Sequence, residues 1–276
     1  MRGSTLPKAL LFDIGGVCVK SPFQAILDYE LAHGIPPGWV NFAISQTAPN
    51  GAWQRLERGE LDMDATFFDH FHQDLHSKEL WKAFNSPQSE GVNTSKHARP
   101  CNIHHLPSID STWLFWEMMR VSRTPDPLMY SALRRLKTSG KFVIGALSNT
   151  VIFPSDHPYS GDIRNDLRSM FDIFVSSAHV GLRKPDPKIY EHTIREVNRV
   201  ARSSYRQIGS QESLDTNIKA EDIVFLDDIG QNLKAAKQIG MRTIKVNLGK
   251  SKEAVQELER MTGMALLDSG DVKARI

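Results

Sequence analysis

The sequence is poor in three features that would narrow its class at once: cysteine, long apolar runs and an excess of charge of one sign. It holds two cysteines, Cys18 and Cys101, too few for a disulfide framework, and this favours a reducing compartment. No apolar run approaches the roughly 18 residues of a membrane-spanning helix. The 34 basic and 32 acidic residues leave a formal net charge of +2, so nothing points to nucleic acid or a membrane surface as a partner.

The N-terminus also lacks the pattern of a targeting segment. An apolar run begins within the first ten residues, and we therefore expect no signal peptide. Hydrophobic residues make up 40% of the chain and charged residues 24%, which is ordinary for a globular protein. We expect a cytoplasmic protein, and the sequence carries no signal of oligomeric state.

What the sequence does contain is a series of short apolar runs rich in Val, Ile and Phe. Such runs are typical of strands buried on both faces of a parallel sheet. Helical patterns separate the later runs: one over 187–200 opens with Pro187, and one over 232–240 closes on Gly240. This alternation predicts an α/β fold with a Rossmann-like parallel sheet. The predicted strands are 8–13, 141–149, 171–177, 222–228 and 241–246.

The long interval between the first two predicted strands has a different character. It contains helical patterns at 22–34 and 64–84 and no strand signal of similar strength. We predict a helical cap domain over 20–124, inserted into a core formed by 1–19 and 125–276. Two polar stretches, 85–108 and 201–217, are predicted to be loops.

Polar residues follow the predicted strands where each one ends. In parallel α/β sheets, ligands bind at the carboxyl ends of the strands, so these residues should meet there. Carboxylates packed together repel one another unless a metal ion or a proton neutralises them, and hard oxygen ligands favour Mg²⁺. The residues concerned are Asp13, Ser148, Asn149, Thr150, Lys184, Asp227 and Asp228.

Four short stretches in this order resemble the haloacid dehalogenase-like hydrolase superfamily. They are "FDIGGV", "LSNT", the lysine of "LRKPDP" and "FLDDIGQNL". In particular, the chain resembles the N-terminal phosphatase domain of soluble epoxide hydrolase and its relatives. The stretches at 50–61, 223–246 and 254–267 support that resemblance.

The resemblance implies a role for each of these residues. Asp13 would be the nucleophile that forms an aspartyl-phosphate, Ser148 would hydrogen-bond a phosphoryl oxygen, and Lys184 would neutralise charge. The implied Mg²⁺ ligands are Asp13, the Gly15 carbonyl, Asp227 and Asp228, and the substrate-binding residues are Gly16, Asn149, Thr150 and Arg55. Arg55 is either an ordinary surface arginine or a cap residue that reaches the substrate anion.

Gly15 departs from the pattern of the superfamily's phosphatases, which usually carry a second aspartate at this position. That aspartate protonates the leaving group, which glycine cannot do. We therefore expect a Mg²⁺-dependent phosphatase for a small organic phosphate or diphosphate, with lipid and isoprenoid phosphates as candidates. The alternative is a catalytically weak or inactive binding protein. A metal-free dehalogenase is a third interpretation, against which the paired Asp227 and Asp228 argue.

Two further patterns have an ordinary structural explanation. His72 and His76 have the spacing of a two-histidine metal face, but packing or solvated histidines are the preferred interpretation. The aromatic run at 112–119 is predicted to be core where cap and body meet, with an apolar substrate pocket as the alternative.

Overall fold

The computed structural model describes residues 5–86, 105–160, 165–208 and 217–267. Within them, a single parallel sheet has the strand order β3-β2-β1-β4-β5. All five predicted strands and the predicted α/β class are confirmed. The strands are β1 (Ala9–Phe12), β2 (Val143–Ser148), β3 (Ile173–Ser176), β4 (Ile223–Asp227) and β5 (Arg242–Lys245).

The central strand β1 shows why the apolar runs form this sheet. All four of its residues are buried, and successive side chains enter opposite layers. Leu10 and Phe12 belong to the hydrophobic cluster on one face, and Ala9 and Leu11 belong to the cluster on the other. Burial of each large side chain stabilises the fold by about 1.5–3 kcal/mol. A strand covered on both faces therefore has no polar position until it ends at Asp13.

The helices of the core cover both faces of the sheet. Gly240, with a φ of 102°, ends α11 in the left-handed conformation as predicted. The polar stretch 201–217 was predicted to be a loop, and this is wrong for its first part because α10 continues to Ile208; residues 209–216 lie outside the described residues. The helices are α7 (Pro127–Ser139), α8 (Asn165–Ser169), α9 (Ser177–Val180), α10 (Pro187–Ile208), α11 (Gly230–Ile239) and α12 (Ser251–Thr262), with a 3-10 turn at Ala220–Asp222.

Within the described residues, six helices lie between β1 and α7, and we call them the helical insertion. The single pattern at 64–84 is in fact two helices, because the Ser77 hydroxyl accepts a hydrogen bond from the Leu80 amide and starts a new helix. The predicted loop at 85–108 lies largely outside the described residues. The helices are α1 (Pro22–Ala32), α2 (Trp39–Gln46), α3 (Ala52–Glu57), α4 (Ala65–Leu75), α5 (Lys78–Phe84) and α6 (Ser111–Val121).

The chain enters and leaves the helical insertion side by side. Val19 forms an antiparallel bridge with Pro125, and the Lys20 amide donates to the Thr124 carbonyl at 2.8 Å. The insertion has its own hydrophobic interior, separate from the two clusters that cover the sheet. None of the helices within the described residues has the length and apolar character needed to cross a bilayer.

Candidate active site

The polar strand ends meet between β1 and β4. At this point the chain order changes direction, because β2 and β3 lie on one side of β1 while β4 and β5 lie on the other. Phe12 of β1 is level with Leu226 of β4, so Asp13 and Asp227 leave the sheet next to each other. The Asp13 amide extends the pairing by donating to the Leu226 carbonyl at 2.8 Å. In a parallel α/β sheet, such a reversal point forms a crevice at the carboxyl edge. The register of these strands therefore creates the site.

A buried lysine bridges the two carboxylates. Lys184 Nζ lies 2.9 Å from Asp13 Oδ2 and 2.7 Å from Asp227 Oδ2, and the lysine side chain has no exposed surface. The other oxygen of Asp13, Oδ1, accepts a hydrogen bond of 2.7 Å from the Ile14 amide. Charge-assisted contacts of this kind are short and directional. The Asp13 carboxylate is thus held in one orientation at the end of its strand.

The carboxylate of Asp227 is occupied by protein donors besides Lys184. Its Oδ1 accepts from the Ile229 amide at 2.7 Å, and the Asn232 side-chain amide contacts both oxygens at 3.1 and 3.2 Å. The Tyr190 hydroxyl in turn donates to the Asn232 carbonyl at 2.9 Å. Asp227 is therefore a fixed anchor for Lys184, with most of its acceptor positions filled.

Asp228 differs from Asp227 because, within the described residues, no other residue donates a hydrogen bond to its side chain, and the donor beside it is its own backbone amide. It lies against Gly16, where a Cβ atom would be 2.1 Å from Asp228 Oδ2. Gly16 also has a φ of 74°, so both the backbone conformation and the space require glycine here. The Gly16 amide donates to the Val19 carbonyl at 2.9 Å, so Gly16 provides room for Asp228 and has no free N–H for a substrate.

The three carboxylates form a cluster that one lysine neutralises in part. One oxygen from each of Asp13, Asp227 and Asp228 lies within 4.8 Å of the others, the one such group of metal-ligating side chains among the described residues. Burial raises the pKa of Asp13 to about 6, although Lys184 opposes the rise. Burial and the charges of Asp13 and Asp227 raise the pKa of Asp228 to about 8. The single positive charge of Lys184 therefore does not balance the three carboxylates, and a further positive charge would stabilise their ionised forms.

The segment after β2 holds the backbone of Lys184 in place. Asn149 Nδ2 donates to the Lys184 carbonyl at 3.1 Å, and the Lys184 amide donates to Asn149 Oδ1 at 2.8 Å. Thr150 is bound to the junction of β3 and α9, through its amide to the Ser177 hydroxyl at 2.9 Å and through its own hydroxyl to Ser176. Asn149 and Thr150 thus position the site and have their side chains engaged.

The buried Ser148 hydroxyl has one long contact, 3.5 Å to the Asn149 carbonyl, and remains available.

Two predicted site residues stand apart from this network. Gly15 lies directly before Gly16, and a Cβ atom there would meet nothing closer than Pro22 Cδ at 3.6 Å, an ordinary contact. Arg55 lies half-buried on α3 of the helical insertion and has no hydrogen bond or ion pair from its side chain to a described residue. The structure therefore brings Asp13, Lys184 and the two motif aspartates together and leaves Arg55 outside their hydrogen-bond network.

The histidine pair of α4 is a packing feature. The His72 and His76 rings stack at 3.8 Å, and His72 Nδ1 lies 3.3 Å from the Ser111 hydroxyl. His76 uses both ring nitrogens on backbone groups, Nδ1 on the His72 carbonyl and Nε2 on the Ile109 amide. Burial lowers the pKa of His76, in keeping with a neutral ring that joins two segments of the insertion.

Several residues that build the site were not predicted from the sequence. Asn232 and Tyr190 hold Asp227, and Glu57 of the insertion is paired with Arg183, the residue before Lys184. The position of Asn232, five residues after Asp227 in the first turn of α11, is a signal that could have identified it. No sequence signal links Glu57 with Arg183, which are 126 positions apart.

No protein-family model matches the sequence. The chain is 27% identical over 260 residues to acyl-CoA dehydrogenase family member 10 of Mus musculus, covering 94% of this chain and 19% of that protein. It is 26% identical over 265 residues to bifunctional epoxide hydrolase 2 of Sus scrofa, covering 95% of this chain and 40% of that protein. The chain thus spans two fifths or less of the length of these two relatives. Sesquiterpene phosphatase astK of Aspergillus oryzae is 26% identical over 261 residues, covering 93% of this chain and 97% of that protein.

Solved structures show the same fold. A predicted HAD-like family hydrolase from Porphyromonas gingivalis superposes with a TM-score of 0.51 at 18% identity, covering 93% of this chain and 99% of the other. A dehalogenase superposes with a TM-score of 0.51 at 15% identity, covering 95% and 98%. The predicted resemblance to the haloacid dehalogenase-like hydrolases is confirmed, as is the similarity to bifunctional epoxide hydrolases.

Proposed function

We propose that this chain, similar throughout to the haloacid dehalogenase-like hydrolases, is a Mg²⁺-dependent phosphatase that acts through an aspartyl-phosphate. The observation that carries the proposal is the Asp13 carboxylate, held at a strand end 2.9 Å from a fully buried lysine and clustered with Asp228. A carboxylate that is fixed, paired with a cation and close to further acidic ligands suits in-line attack on phosphorus.

Asp13 performs the nucleophilic step. Its pKa of about 6 leaves it ionised near neutral pH, and the Ile14 amide and Lys184 orient it. One Asp13 oxygen forms a bond to phosphorus while the bond from phosphorus to the leaving oxygen breaks. Water then attacks the aspartyl-phosphate and releases inorganic phosphate and the free carboxylate. Lys184 balances the charge that these steps place on the phosphoryl oxygens, and the Ser148 hydroxyl can donate to one of them.

The donor set fits a hard divalent cation. Asp228 and Asp13 offer carboxylate oxygens, the main-chain carbonyl of Gly15 is the third ligand that we assign, and Asp227 completes the cluster mainly by holding Lys184. The raised pKa values of Asp13 and Asp228 indicate that these carboxyl groups lack a compensating charge, which a bound Mg²⁺ would supply. When bound, the ion would add Lewis-acid polarisation of the phosphoryl oxygens.

We assign substrate selection to the helical insertion, acting as a cap, with Arg55 as the cap residue that contacts a substrate anion. This assignment is supported by where the insertion meets the core. Trp116 of α6 stacks on His157, 4.4 Å between ring centroids, in the loop that follows Thr150. Glu57 of α3 pairs with Arg183, beside Lys184. Both contacts lie on loops that leave the carboxyl edge of the sheet.

The absence of an acid at Gly15 defines the substrates that we expect. Some leaving groups depart without being protonated, such as the phosphate released from a diphosphate. Their rate of departure falls little when no acid is present. Relatives named as a sesquiterpene phosphatase and an epoxide hydrolase favour a small organic phosphate or diphosphate of lipid or isoprenoid type. The same glycine favours the second candidate, a weakly active or inactive binding protein.

The test is hydrolysis of inorganic pyrophosphate and an alkyl diphosphate, with and without Mg²⁺, by the native chain, Asp13→Asn and Asp69→Asn. Asp69 is an exposed aspartate of α4 and serves as the control. We expect Mg²⁺-dependent release of phosphate that Asp13→Asn abolishes and Asp69→Asn leaves unchanged. Full turnover in excess chelator would contradict the proposed requirement for Mg²⁺. No turnover of any ester or diphosphate would favour the binding protein.

A further inference from the structure

An ion pair joins the helical insertion to the segment that carries the buried lysine. Glu57, the last residue of α3, accepts hydrogen bonds on Oε2 from Arg183 Nε at 2.8 Å and from an Arg183 terminal nitrogen at 2.7 Å. The glutamate side chain is 8% exposed and the arginine side chain 21%. Because water is largely excluded from this pair, the interaction is stronger than that of an exposed surface pair.

A second contact fixes the same end of α3 against the core. Gly59 has a φ of 67°, and a Cβ atom at this position would lie 2.4 Å from the Ala178 carbonyl oxygen of α9. Only glycine allows the turn to lie this close to the core backbone. The turn after α3 therefore rests on α9 while Glu57 reaches the neighbouring Arg183.

The position of Lys184 depends on how this segment is held. Its backbone is bound from the core side by both hydrogen bonds to Asn149. From the side of the insertion, the adjacent Arg183 is bound by Glu57. Between these two attachments, a lysine with four flexible methylene groups must place Nζ within 3 Å of both Asp13 and Asp227.

We infer that Glu57 is a positioning residue for Lys184, and that through Arg183 it makes the lysine's placement depend on docking of the insertion. This inference deepens the proposed function and rests on it for its consequence in catalysis. A closed insertion would then hold Lys184 between the two aspartates, and an undocked one would leave the segment attached by Asn149 alone.

The first experiment measures the placement of Lys184 without reference to activity. Glu57→Gln keeps the size of the side chain and removes its charge. Glu60→Gln is the matched control, because Glu60 pairs with Arg58 inside the insertion. Each protein is treated briefly with an amine-acetylating reagent, and modification of Lys184 is read by mass spectrometry against exposed lysines. We expect several-fold faster modification in Glu57→Gln and no change in Glu60→Gln.

The second experiment measures turnover of a diphosphate. We expect Glu57→Gln to lower kcat about 10-fold with little change in KM, because a small misplacement of a charge-stabilising group acts mainly on the transition state. Arg183→Gln, which breaks the pair from the core side, should behave alike and replaces Glu57→Gln if that variant does not fold. The exchange Glu57→Arg with Arg183→Glu should recover part of kcat.

The outcomes separate this inference from the proposed function. Unchanged Lys184 modification in both pair-breaking variants would overturn the inference, as would equal increases in Glu57→Gln and Glu60→Gln. A native protein with no phosphatase activity, combined with selective exposure of Lys184 in Glu57→Gln, would overturn the proposed function and leave the positioning role supported.

Discussion

The carboxyl edge of the sheet and the interior of the helical insertion remove opposite kinds of side chain from water. At the edge, the buried carboxylates of Asp13 and Asp227 both contact the buried ammonium group of Lys184. The interior of the insertion is instead dominated by large aromatic rings in mutual contact. The fully buried rings include Trp39, Phe67, Phe71, Phe84 and Phe115.

The difference shows which part of the molecule tolerates change. A buried charge is stable only with its partners in place, so each member of the edge depends on the others. An apolar interior accepts many side chains of similar volume. The charged cluster therefore depends on one arrangement of the core, while the interior of the insertion can accept changes of side chain. The four predictions below test this contrast, from the largest expected effect to the smallest.

Removing the positive charge of Lys184 should abolish most of the catalytic activity at the carboxyl edge of the sheet. We expect Lys184→Met to lower kcat for a diphosphate by at least about 10³-fold, because it removes preorganised positive charge from the reacting phosphoryl group. Lys188→Met, an exposed lysine near the start of α10, is the control. Steady-state turnover at saturating Mg²⁺ measures both variants. Equal activities would mean that the buried lysine has a purely structural role.

Adding a carboxyl group at Gly15 should change how the edge selects leaving groups. We expect the native protein to cleave diphosphates well and alkyl phosphates poorly. Gly15→Asp should raise alkyl phosphate turnover about 10²-fold through proton donation to the leaving oxygen. The space at this position admits a Cβ atom in ordinary contact with Pro22.

The measurement is a series of phosphate esters of graded leaving-group pKa, assayed on both proteins. Gly15→Ala serves as the control for added volume. In this variant, turnover should still fall steeply as the leaving-group pKa rises. A flat dependence in the native protein would show that another residue already supplies the proton.

Truncating a buried aromatic ring should lower the stability of the helical insertion and leave the charged cluster at the edge of the sheet unchanged. Phe115 is fully buried and contacts the rings of Phe67, Phe71 and Trp53. We expect Phe115→Ala to lower the free energy of unfolding by about 3–5 kcal/mol. Leu31→Ala, at a 61% exposed position, should change it by about 0.5 kcal/mol or less. Urea denaturation measures both, and a Phe115→Ala protein as stable as the native one would contradict the prediction.

The pH dependence of stability should separate the two regions. The pKa rises from 3.8 to about 6 for Asp13 and to about 8 for Asp228, and from 4.5 to about 7 for the buried Glu30 of the insertion. A carboxyl group with a raised pKa binds more protons when folded, so stability falls as pH rises between the unfolded and folded values. We therefore expect Tm of the metal-free protein to fall as pH rises through this interval.

Mg²⁺ and one substitution distinguish the contributions of the two regions to this fall in Tm. Added Mg²⁺ should reverse the part of the fall that arises from Asp13 and Asp228, because it favours their ionised forms. Glu30→Gln should remove the part that arises from the insertion and leave the response of Tm to Mg²⁺ intact. Thermal unfolding scans across the interval measure both, and a Tm that does not change with pH in the metal-free protein would refute the assignment.

The sequence alone determined the sheet and which carboxylates stand at its edge. A strand buried on both faces must be apolar throughout, so its first polar residue marks its end, and Asp13, Asp227 and Asp228 were identified in this way. The order of the motifs likewise identified Lys184 and the departure at Gly15. These features are local in the chain, and local patterns are what a sequence displays directly.

Only the tertiary structure decided how these residues are held. Asn149, predicted to bind substrate, supports the backbone of Lys184, and Glu57 reaches Arg183 across 126 positions of sequence. The carboxylate of Asp227 accepts hydrogen bonds from Lys184, Ile229 and Asn232, whereas within the described residues no other residue donates to the carboxylate of Asp228. Such contacts join segments that are remote in the chain, and their partners are set by how strands, loops and the insertion pack in space.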